Sequence, residues 1–273
     1  MKAVPHFFRC CGALTLVVVA AAAAFVPARA EPESPAAKNE CIAPTELVRL
    51  QNPLKRVAQR IAGGQPLTIV AIGSSSTAGA GASSPAMSYP SRLAAELQAM
   101  FPNTPVTVFN RGVNGEESRD MFARFDRDVF ALKPDLVLWQ VGSNSVLRDR
   151  PLEESNAPLH EGLHRLHDAN MDVVLINPQY SPKVITKHEV DAMVDLIDAT
   201  AKQADVDLFQ RYAVMRYWRL TEDLPFSAFV SPDELHMNDW SYGCIAKLLA
   251  GAIREAATRT TITATASAAA TRR

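Results

Sequence analysis

The sequence has almost no net charge, no internal repeat and no nucleotide-binding loop. Its 273 residues include 28 lysines and arginines against 29 aspartates and glutamates. This balance gives no support to nucleic-acid binding, which draws on an excess of basic residues, so we expect no nucleic-acid partner. No Gly-Lys-Ser/Thr follows the serines at 74–76, and no lysine lies nearby, which argues against a phosphate-binding loop.

Cysteine is also scarce, with four in the whole chain. Cys10 and Cys11 lie near the start and precede an apolar run, whereas the cysteine of a lipoprotein would follow such a run. Cys41 and Cys244 lie near opposite ends of the remaining chain. If the protein is exported, these two enter a compartment where disulfides persist, and we predict that they pair.

The first 30 residues resemble a secretory signal peptide. Lys2 and Arg9 make a basic start, residues 12–26 are apolar, and Ala-Arg-Ala precedes Glu31. The apolar run is short for a membrane span. We therefore expect cleavage after Ala30, no stable membrane anchor afterwards, and a secreted or periplasmic protein.

The rest of the chain divides into three parts. Residues 31–44 are rich in proline and charge and predict a flexible leader, and residues 258–273 are of low complexity and predict a disordered tail. No linker interrupts residues 45–257, so we expect one domain there. The sequence gives no indication of the oligomeric state.

Short apolar runs alternate with helical patterns through this domain. Four runs have strand length and are apolar throughout, as in parallel strands buried on both faces, and a weaker fifth run follows. They begin near residues 67, 106, 135, 172 and 206. The alternation predicts a doubly wound, flavodoxin-like α/β fold: about five parallel strands with helices on both faces, in three layers.

Polar residues suited to catalysis follow these strands. A serine is a poor nucleophile unless a base takes its proton, and His236 is a candidate base. Asp233, three residues earlier, is spaced to orient the imidazole. A tetrahedral intermediate also needs hydrogen-bond donors for its oxyanion, which backbone N–H groups and the Asn144 amide would supply. The residues alone do not decide among Ser74, Ser75 and Ser76.

Four short motifs, in the order in which they occur along the chain, resemble those of the SGNH hydrolase superfamily, also called the GDSL esterases. Gly73-Ser74-Ser75-Ser76 corresponds to the G-D-S-L block, and the resemblance makes Ser75 the nucleophile. Gly142-Ser143-Asn144 corresponds to the G-x-N-D block, and Asp233-Glu234-Leu235-His236 to the D-x-x-H block. Gly115 corresponds to the glycine of the oxyanion hole, with Gly112 as the alternative. The resemblance implies an oxyanion hole of Ser75, Gly115 and Asn144 and a triad of Ser75, His236 and Asp233.

This sequence departs from the family pattern at two positions. Ser74 replaces the usual aspartate, and Ser145 follows Asn144 where aspartate is common. Neither carries the nucleophile, so we expect the chemistry to survive. A conventional α/β-hydrolase elbow, G-x-S-x-G, fits less well because Thr77 occupies the position of its last glycine.

One other segment has residues that could bind metal. His160, His164 and His167 fall on one helical face, and histidines four residues apart can ligate zinc. We interpret them as a partly exposed helix face and expect neither a metal ion nor an organic cofactor.

The resemblance implies an exported serine esterase that hydrolyses small carboxylic esters, with acetyl esters on carbohydrates as the expected substrates. Three alternatives remain open at this point. They are a lysophospholipase or thioesterase with longer acyl chains, an enzyme that transfers acetyl groups between sugars, and an inactive carbohydrate-binding protein of the cell envelope.

Overall fold

The computed structural model describes residues 40–270, with side chains as far as Arg259. The predicted signal peptide, residues 1–30, and most of the predicted leader, 31–44, lie outside the described residues. Five strands form one parallel sheet, with bounds β1 Leu67–Gly73, β2 Val106–Gly112, β3 Leu136–Gln140, β4 Asp172–Ile176 and β5 Asp207–Phe209. Their order in the sheet is β2-β1-β3-β4-β5. This is the flavodoxin-like, doubly wound order, and it confirms the predicted fold class.

Thirteen α-helices lie within the described residues. Their bounds are α1 Thr45–Val48, α2 Lys55–Ala62, α3 Ser75–Ala78, α4 Tyr89–Met100, α5 Ser118–Phe122, α6 Phe125–Asp128, α7 Ser143–Leu147, α8 Leu152–Asp168, α9 Pro182–Ile185, α10 Val190–Gln203, α11 Arg211–Leu220, α12 Phe226–Phe229 and α13 Asp239–Ala270. The last helix thus continues into the segment predicted as a disordered tail, 258–273. Because side chains are described only to Arg259, that tail stays a prediction.

The alternation of side chains along the strands divides the core into two layers. Ile69, Leu138 and Val174 face one hydrophobic cluster, which α4, α11 and α13 complete. Val70, Trp139 and Leu175 face the other, which α5, α8 and α10 complete. Each buried strand therefore needs apolar residues at successive positions, which is why the strands were visible as continuous apolar runs.

One predicted helix is divided in the structure. The pattern over residues 118–132 predicts a single helix, but the chain forms α5, α6 and a 3₁₀ turn at Phe130–Leu132. The interruption includes Arg124, whose guanidinium is buried and donates to the backbone carbonyls of Arg111, at 2.8 Å, and Gly73, at 3.3 Å. The break thus lies where this side chain turns toward the ends of β1 and β2.

Three aspartates fasten the N-terminal segment to the edge of the sheet where the strands begin. Asp135 accepts the backbone N–H of Thr68 at 3.0 Å and pairs with Arg60 at 2.8 Å. Asp172 accepts the N–H groups that begin α2, and Asp207 accepts those of residues 51 and 52. These contacts leave the opposite edge, where the strands end, to the polar residues of the candidate site.

A disulfide joins Cys41 to Cys244, the pairing that the sequence predicts. It connects the first described residues to α13 across 203 positions of sequence. Within residues 40–270, no helix is both long enough and apolar enough to cross a bilayer.

Candidate active site

Ser75 is the first residue of α3, directly after the end of β1. Its Oγ lies 2.8 Å from Nε2 of His236. The neighbouring hydroxyls turn elsewhere, since Ser74 donates to Gln140 at 2.9 Å and Ser76 to Gln179 at 3.3 Å. Of the three serines, the structure therefore brings Ser75 to the imidazole.

The other ring nitrogen of His236 faces a carboxylate. Nδ1 lies 2.5 Å from Oδ2 of Asp233. Oδ1 of Asp233 accepts three further hydrogen bonds, from the Ser231 hydroxyl at 2.6 Å and from the backbone N–H groups of Leu235 and His236 at 2.9 Å each. One carboxylate oxygen thus holds the loop while the other orients the ring.

The same hydrogen bonds keep Asp233 charged. Its partial burial raises the pKa, but the bonds from Ser231, His236 and Leu235 outweigh burial and hold the pKa well below its usual range. An ionised carboxylate at Nδ1 makes that nitrogen the donor of the pair, which leaves Nε2 able to accept a proton from Ser75.

The predicted oxyanion donors lie on the three loops around Ser75. The amide of Asn144, in α7 after β3, donates to the backbone carbonyl of Glu116 at 2.8 Å and so contacts the loop that contains Gly115. An amide nitrogen carries two hydrogens, so one remains for a ligand. Within the described residues, the backbone N–H groups of Ser75 and Gly115 have no hydrogen-bond acceptor.

Gly115, rather than Gly112, has the backbone of a loop glycine. Its φ is +80°, in the region that favours glycine. Gly112 is paired with Gly73 in the sheet, and a β-carbon there would lie 2.1 Å from the backbone nitrogen of Ala78. Gly112 therefore lets α3 approach the end of β2, a packing role.

The two departures from the family pattern have local explanations. Ser74 directs both its N–H and its hydroxyl to Oε1 of Gln140, at 3.0 and 2.9 Å. Ser145 accepts the hydroxyl of Ser155 in α8 at 2.9 Å. Serine thus fills both positions with satisfied, buried hydrogen bonds.

Sequence reasoning missed the glutamines behind the site. Gln140 and Gln179 are almost fully buried; Gln140 ends β3, and Gln179 follows the end of β4 by three residues, at the edge where Ser75 lies. A polar residue after a buried apolar run was the signal that could have identified them. Their amides contact the serines on either side of Ser75, so they form the floor of the site.

The histidines of α8 do not form a comparable centre. His164 and His167 are largely exposed, and His164 pairs with Asp168 at 3.2 Å. Within the described residues, no group of three or more histidine, cysteine or carboxylate side chains is arranged to hold a metal ion. Residues 160–164 do have the His-Glu-x-x-His spacing, which sequence reasoning overlooked, but within the described residues no third protein ligand accompanies it.

Comparison with known proteins identifies relatives among esterases. An acetylxylan esterase of Geobacillus stearothermophilus is 33% identical over 112 residues, which are 37% of this chain and 49% of the relative. The chain thus matches about half the length of this curated relative.

Solved structures show the same fold. A two-domain esterase active on acetylated mannans superposes with a TM-score of 0.66 at 19% identity, over 77% of this chain and 56% of that one. An acetylxylan esterase structure from Geobacillus stearothermophilus gives 0.56 at 22% identity, over 68% of this chain and 94% of that one.

The family assignment comes from the sequence profile that matches most of the chain. The profile of the Non-GDSL lipase-like family covers residues 40–259. The resemblance to GDSL esterases is thus confirmed only at the level of the wider GDSL/SGNH-like group, because the matching family is the non-GDSL variant, consistent with Ser74 in place of aspartate. The chain belongs to the Non-GDSL lipase-like family.

Proposed function

We propose that the protein is an exported serine esterase that removes acetyl groups from carbohydrates. The observation that carries the proposal is the position of His236, with its two ring nitrogens 2.8 Å from Ser75 Oγ and 2.5 Å from Asp233 Oδ2. The acetyl and carbohydrate parts draw support from the relatives, which include an acetylxylan esterase and an esterase active on acetylated mannans.

Acylation begins when Ser75 Oγ attacks the ester carbonyl and its proton passes to Nε2 of His236. Asp233 stabilises the imidazolium that forms. The carbonyl oxygen becomes an oxyanion, which accepts hydrogen bonds from the N–H groups of Ser75 and Gly115 and from the amide of Asn144. The intermediate collapses when the bond to the sugar oxygen breaks and His236 returns the proton to that oxygen.

Deacylation repeats these steps with water. His236 takes a proton from water as the oxygen attacks the acetyl carbonyl, and Ser75 leaves with the proton that His236 returns. The products are the sugar hydroxyl, free enzyme and acetic acid, which ionises to acetate and releases one proton to solvent. All atoms and protons balance using groups of this chain, and the proposal requires no cofactor.

The export part rests on the sequence of residues 1–30 and on the disulfide between Cys41 and Cys244. Disulfides of this kind persist in secreted or periplasmic proteins and are rare in a reducing cytosol. Both features support a location outside the cytoplasm.

The test is covalent labelling with a fluorophosphonate, followed by intact-mass measurement and peptide mapping. We expect one adduct, on Ser75, in the native protein and none in Ser75→Ala. Ser227→Ala, which removes an exposed serine of α12, serves as the matched control and should label like the native protein. An adduct that persists in Ser75→Ala would refute the proposed nucleophile.

Two further assays distinguish the alternatives. Rates on acetate and octanoate esters of one chromogenic alcohol should favour acetate, whereas a lysophospholipase or thioesterase would favour octanoate. With acetylated xylan or mannan, free acetate should accumulate, whereas a transferase would produce acetylated sugar acceptors instead. A protein that binds these glycans and neither turns over ester nor accepts the fluorophosphonate would be the inactive binding protein.

A further inference from the structure

Gln179 lies at the centre of a buried hydrogen-bond network behind the site. It follows β4 by three residues and is 1% exposed. Its Oε1 accepts three hydrogen bonds, from Ser143 Oγ at 2.9 Å, Arg211 Nη2 at 3.1 Å and Ser76 Oγ at 3.3 Å. Its Nε2 donates to the backbone carbonyl of Leu235 at 3.4 Å. One amide thus connects four separate segments of the chain.

Three of these partners are direct neighbours in sequence of residues proposed to act in catalysis. The pairs are Ser76 with Ser75, Ser143 with Asn144, and Leu235 with His236. The nucleophile, the oxyanion amide and the base come from loops after β1, after β3 and before α13, which are distant in sequence. A single side chain that contacts all three loops can fix their relative positions.

Arg211 determines which way the Gln179 amide points. A guanidinium only donates hydrogen bonds, so the Gln179 atom that faces it must be the oxygen. The nitrogen then faces the Leu235 carbonyl, which only accepts. With this orientation, the hydroxyls of Ser76 and Ser143 must act as donors, and each bond in the network has a defined direction.

Arg211 itself is held rigidly. It is fully buried, and its Nε donates to the backbone carbonyl of Asn177 at 3.0 Å. Burial lowers the pKa of Arg211 to about 10, so the guanidinium remains charged at neutral pH. Within the described residues, no carboxylate pairs with it, and its Nη1 has no hydrogen-bond partner. Gln179 is the one side-chain acceptor that it uses there.

We propose that Gln179 is a positioning residue that holds the loops of Ser75, Asn144 and His236 in register, with its amide oriented by Arg211. This inference rests on the proposed function and extends it to a residue that touches no reacting atom. Proximity effects in catalysis are steep, since a misplacement of about 1 Å can cost on the order of 100-fold in rate.

Gln179→Glu separates positioning from folding. The substitution preserves shape, and one carboxylate oxygen still accepts from Ser76, Ser143 and Arg211. The other oxygen replaces the nitrogen that donates to Leu235, so two acceptors face each other and the loop of His236 loses its tether. We expect kcat to fall about tenfold or more with KM within error of the native value, while a native-like circular-dichroism spectrum shows that the variant is folded at the assay temperature.

Ser181→Ala is the matched control. Ser181 lies two residues further along the same loop and is equally buried, but its hydroxyl has no hydrogen-bond partner within the described residues. We expect its kcat to equal that of the native protein. An unchanged kcat in Gln179→Glu, or an equal loss in Ser181→Ala, would overturn the inference.

Ser143→Ala provides a second test if Gln179→Glu does not fold. It removes one hydroxyl of the network beside Asn144, and we expect kcat to fall about threefold with KM unchanged, whereas an unaltered kcat would contradict the inference. Ser75→Ala separates this result from the proposed function. If Ser75→Ala is inactive while Gln179→Glu and Ser143→Ala match the native kcat, only the positioning role is wrong. If Ser75→Ala remains active, the proposed function is wrong as well.

Discussion

Gly81 lies so close to His236 that a β-carbon at Gly81 would be 2.8 Å from the Cβ of the histidine. The same β-carbon would lie 2.5 Å from the backbone carbonyl of Met237 and 3.0 Å from Ser231 Oγ. The φ of Gly81 is +86°, which also favours glycine. The loop after α3 therefore packs directly on the loop that carries His236.

Two hydrogen-bonded contacts strengthen this junction. Ser83 donates its backbone N–H and its hydroxyl to the two carboxylate oxygens of Asp239, at 2.8 and 2.5 Å. The Tyr242 hydroxyl donates to the carbonyl of Ala80 at 2.7 Å. The loop that follows α3 is thus bonded on both sides of Gly81 to the segment that follows His236.

Gly81→Ala should therefore lower both stability and activity. The left-handed backbone and the contacts that are too short together should cost about 2–4 kcal/mol of unfolding free energy. Displacement of His236 should lower kcat at least tenfold. Denaturant unfolding and initial-rate assays on one acetate ester measure the two effects.

Gly64→Ala is the control for backbone strain alone. Gly64 also has a positive φ, +58°, but a β-carbon there would meet only the carbonyl of Asn103, at 3.5 Å. We expect a loss of about 1–2 kcal/mol with unchanged kcat. Equal kcat values in the two variants would show that Gly81 does not support the position of His236.

Asp233→Asn should abolish most activity and leave the fold intact. An asparagine oxygen can still accept the three hydrogen bonds that Oδ1 receives from Ser231, Leu235 and His236. Its NH₂ group would face Nδ1 of His236 and impose the other tautomer, which places the proton on the nitrogen that faces Ser75. We expect kcat to fall on the order of 10⁴-fold, with the thermal midpoint nearly unchanged.

Glu234→Gln is the matched control for Asp233→Asn. Glu234 is the next residue and is exposed, so this variant removes a neighbouring charge without a contact to His236. We expect Glu234→Gln to retain the native kcat. Retention of native kcat in Asp233→Asn would mean that the carboxylate does not orient the base.

The strands could be predicted because they depend on local sequence, and the strand ends then indicate where candidate site residues lie. Buried parallel strands need continuous apolar runs, and the residues that follow such runs lie at one edge of the sheet. Ser75 and Asn144 each lie a few residues past a strand end, and Asp233 and His236 lie only three residues apart. The fold class thus places Ser75 and Asn144 at one edge, whereas the choice of Ser75 among three serines came from the family resemblance, and Asp233 and His236 precede α13 rather than follow a strand.

Residues whose roles depend on distant partners could not be predicted. Gln179 contacts segments 32 to 103 residues away, and no local pattern specifies those pairings. The division between α5 and α6 accompanies the contacts of Arg124 with the ends of β1 and β2, which override helical periodicity. In the sequence, Gly81 cannot be distinguished from an ordinary turn glycine, because its contact with His236 is visible only in the structure.

Removal of the disulfide should destabilise the protein. The bond joins residues 203 positions apart, and loss of a native disulfide typically costs about 2–5 kcal/mol. The double variant Cys41→Ser/Cys244→Ser should show this loss in denaturant unfolding. Reductant should lower the native protein to the stability of the variant and leave the variant unchanged. Identical native stability with and without reductant would contradict this prediction.

Asp172 lies at the edge of the sheet opposite the site, where its Oδ2 accepts the backbone N–H groups of Arg56 and Val57 at 2.9 and 3.0 Å. Burial raises the pKa of Asp172 to about 6, although those hydrogen bonds and the charge of Arg56 act to lower it. An unfolded chain would titrate this group near its ordinary value of about 3.9. Between these two values the folded protein binds the proton more tightly than the unfolded chain.

The stability that protonated Asp172 contributes should therefore be complete below about pH 4 and be lost as the pH rises through about 6. Two pKa units correspond to roughly 2–3 kcal/mol. Asp172→Asn keeps an oxygen for both N–H groups and cannot ionise, so its unfolding free energy should lack this decline. Relative to the native protein, the variant should gain stability between pH 4 and 7.

Urea unfolding at several pH values measures the difference in unfolding free energy, with Asp195→Asn, at an exposed aspartate of α10, as the control. If the unfolding free energies of the native protein and Asp172→Asn differ by the same amount at every pH from 4 to 7, Asp172 does not titrate in this range in the folded protein.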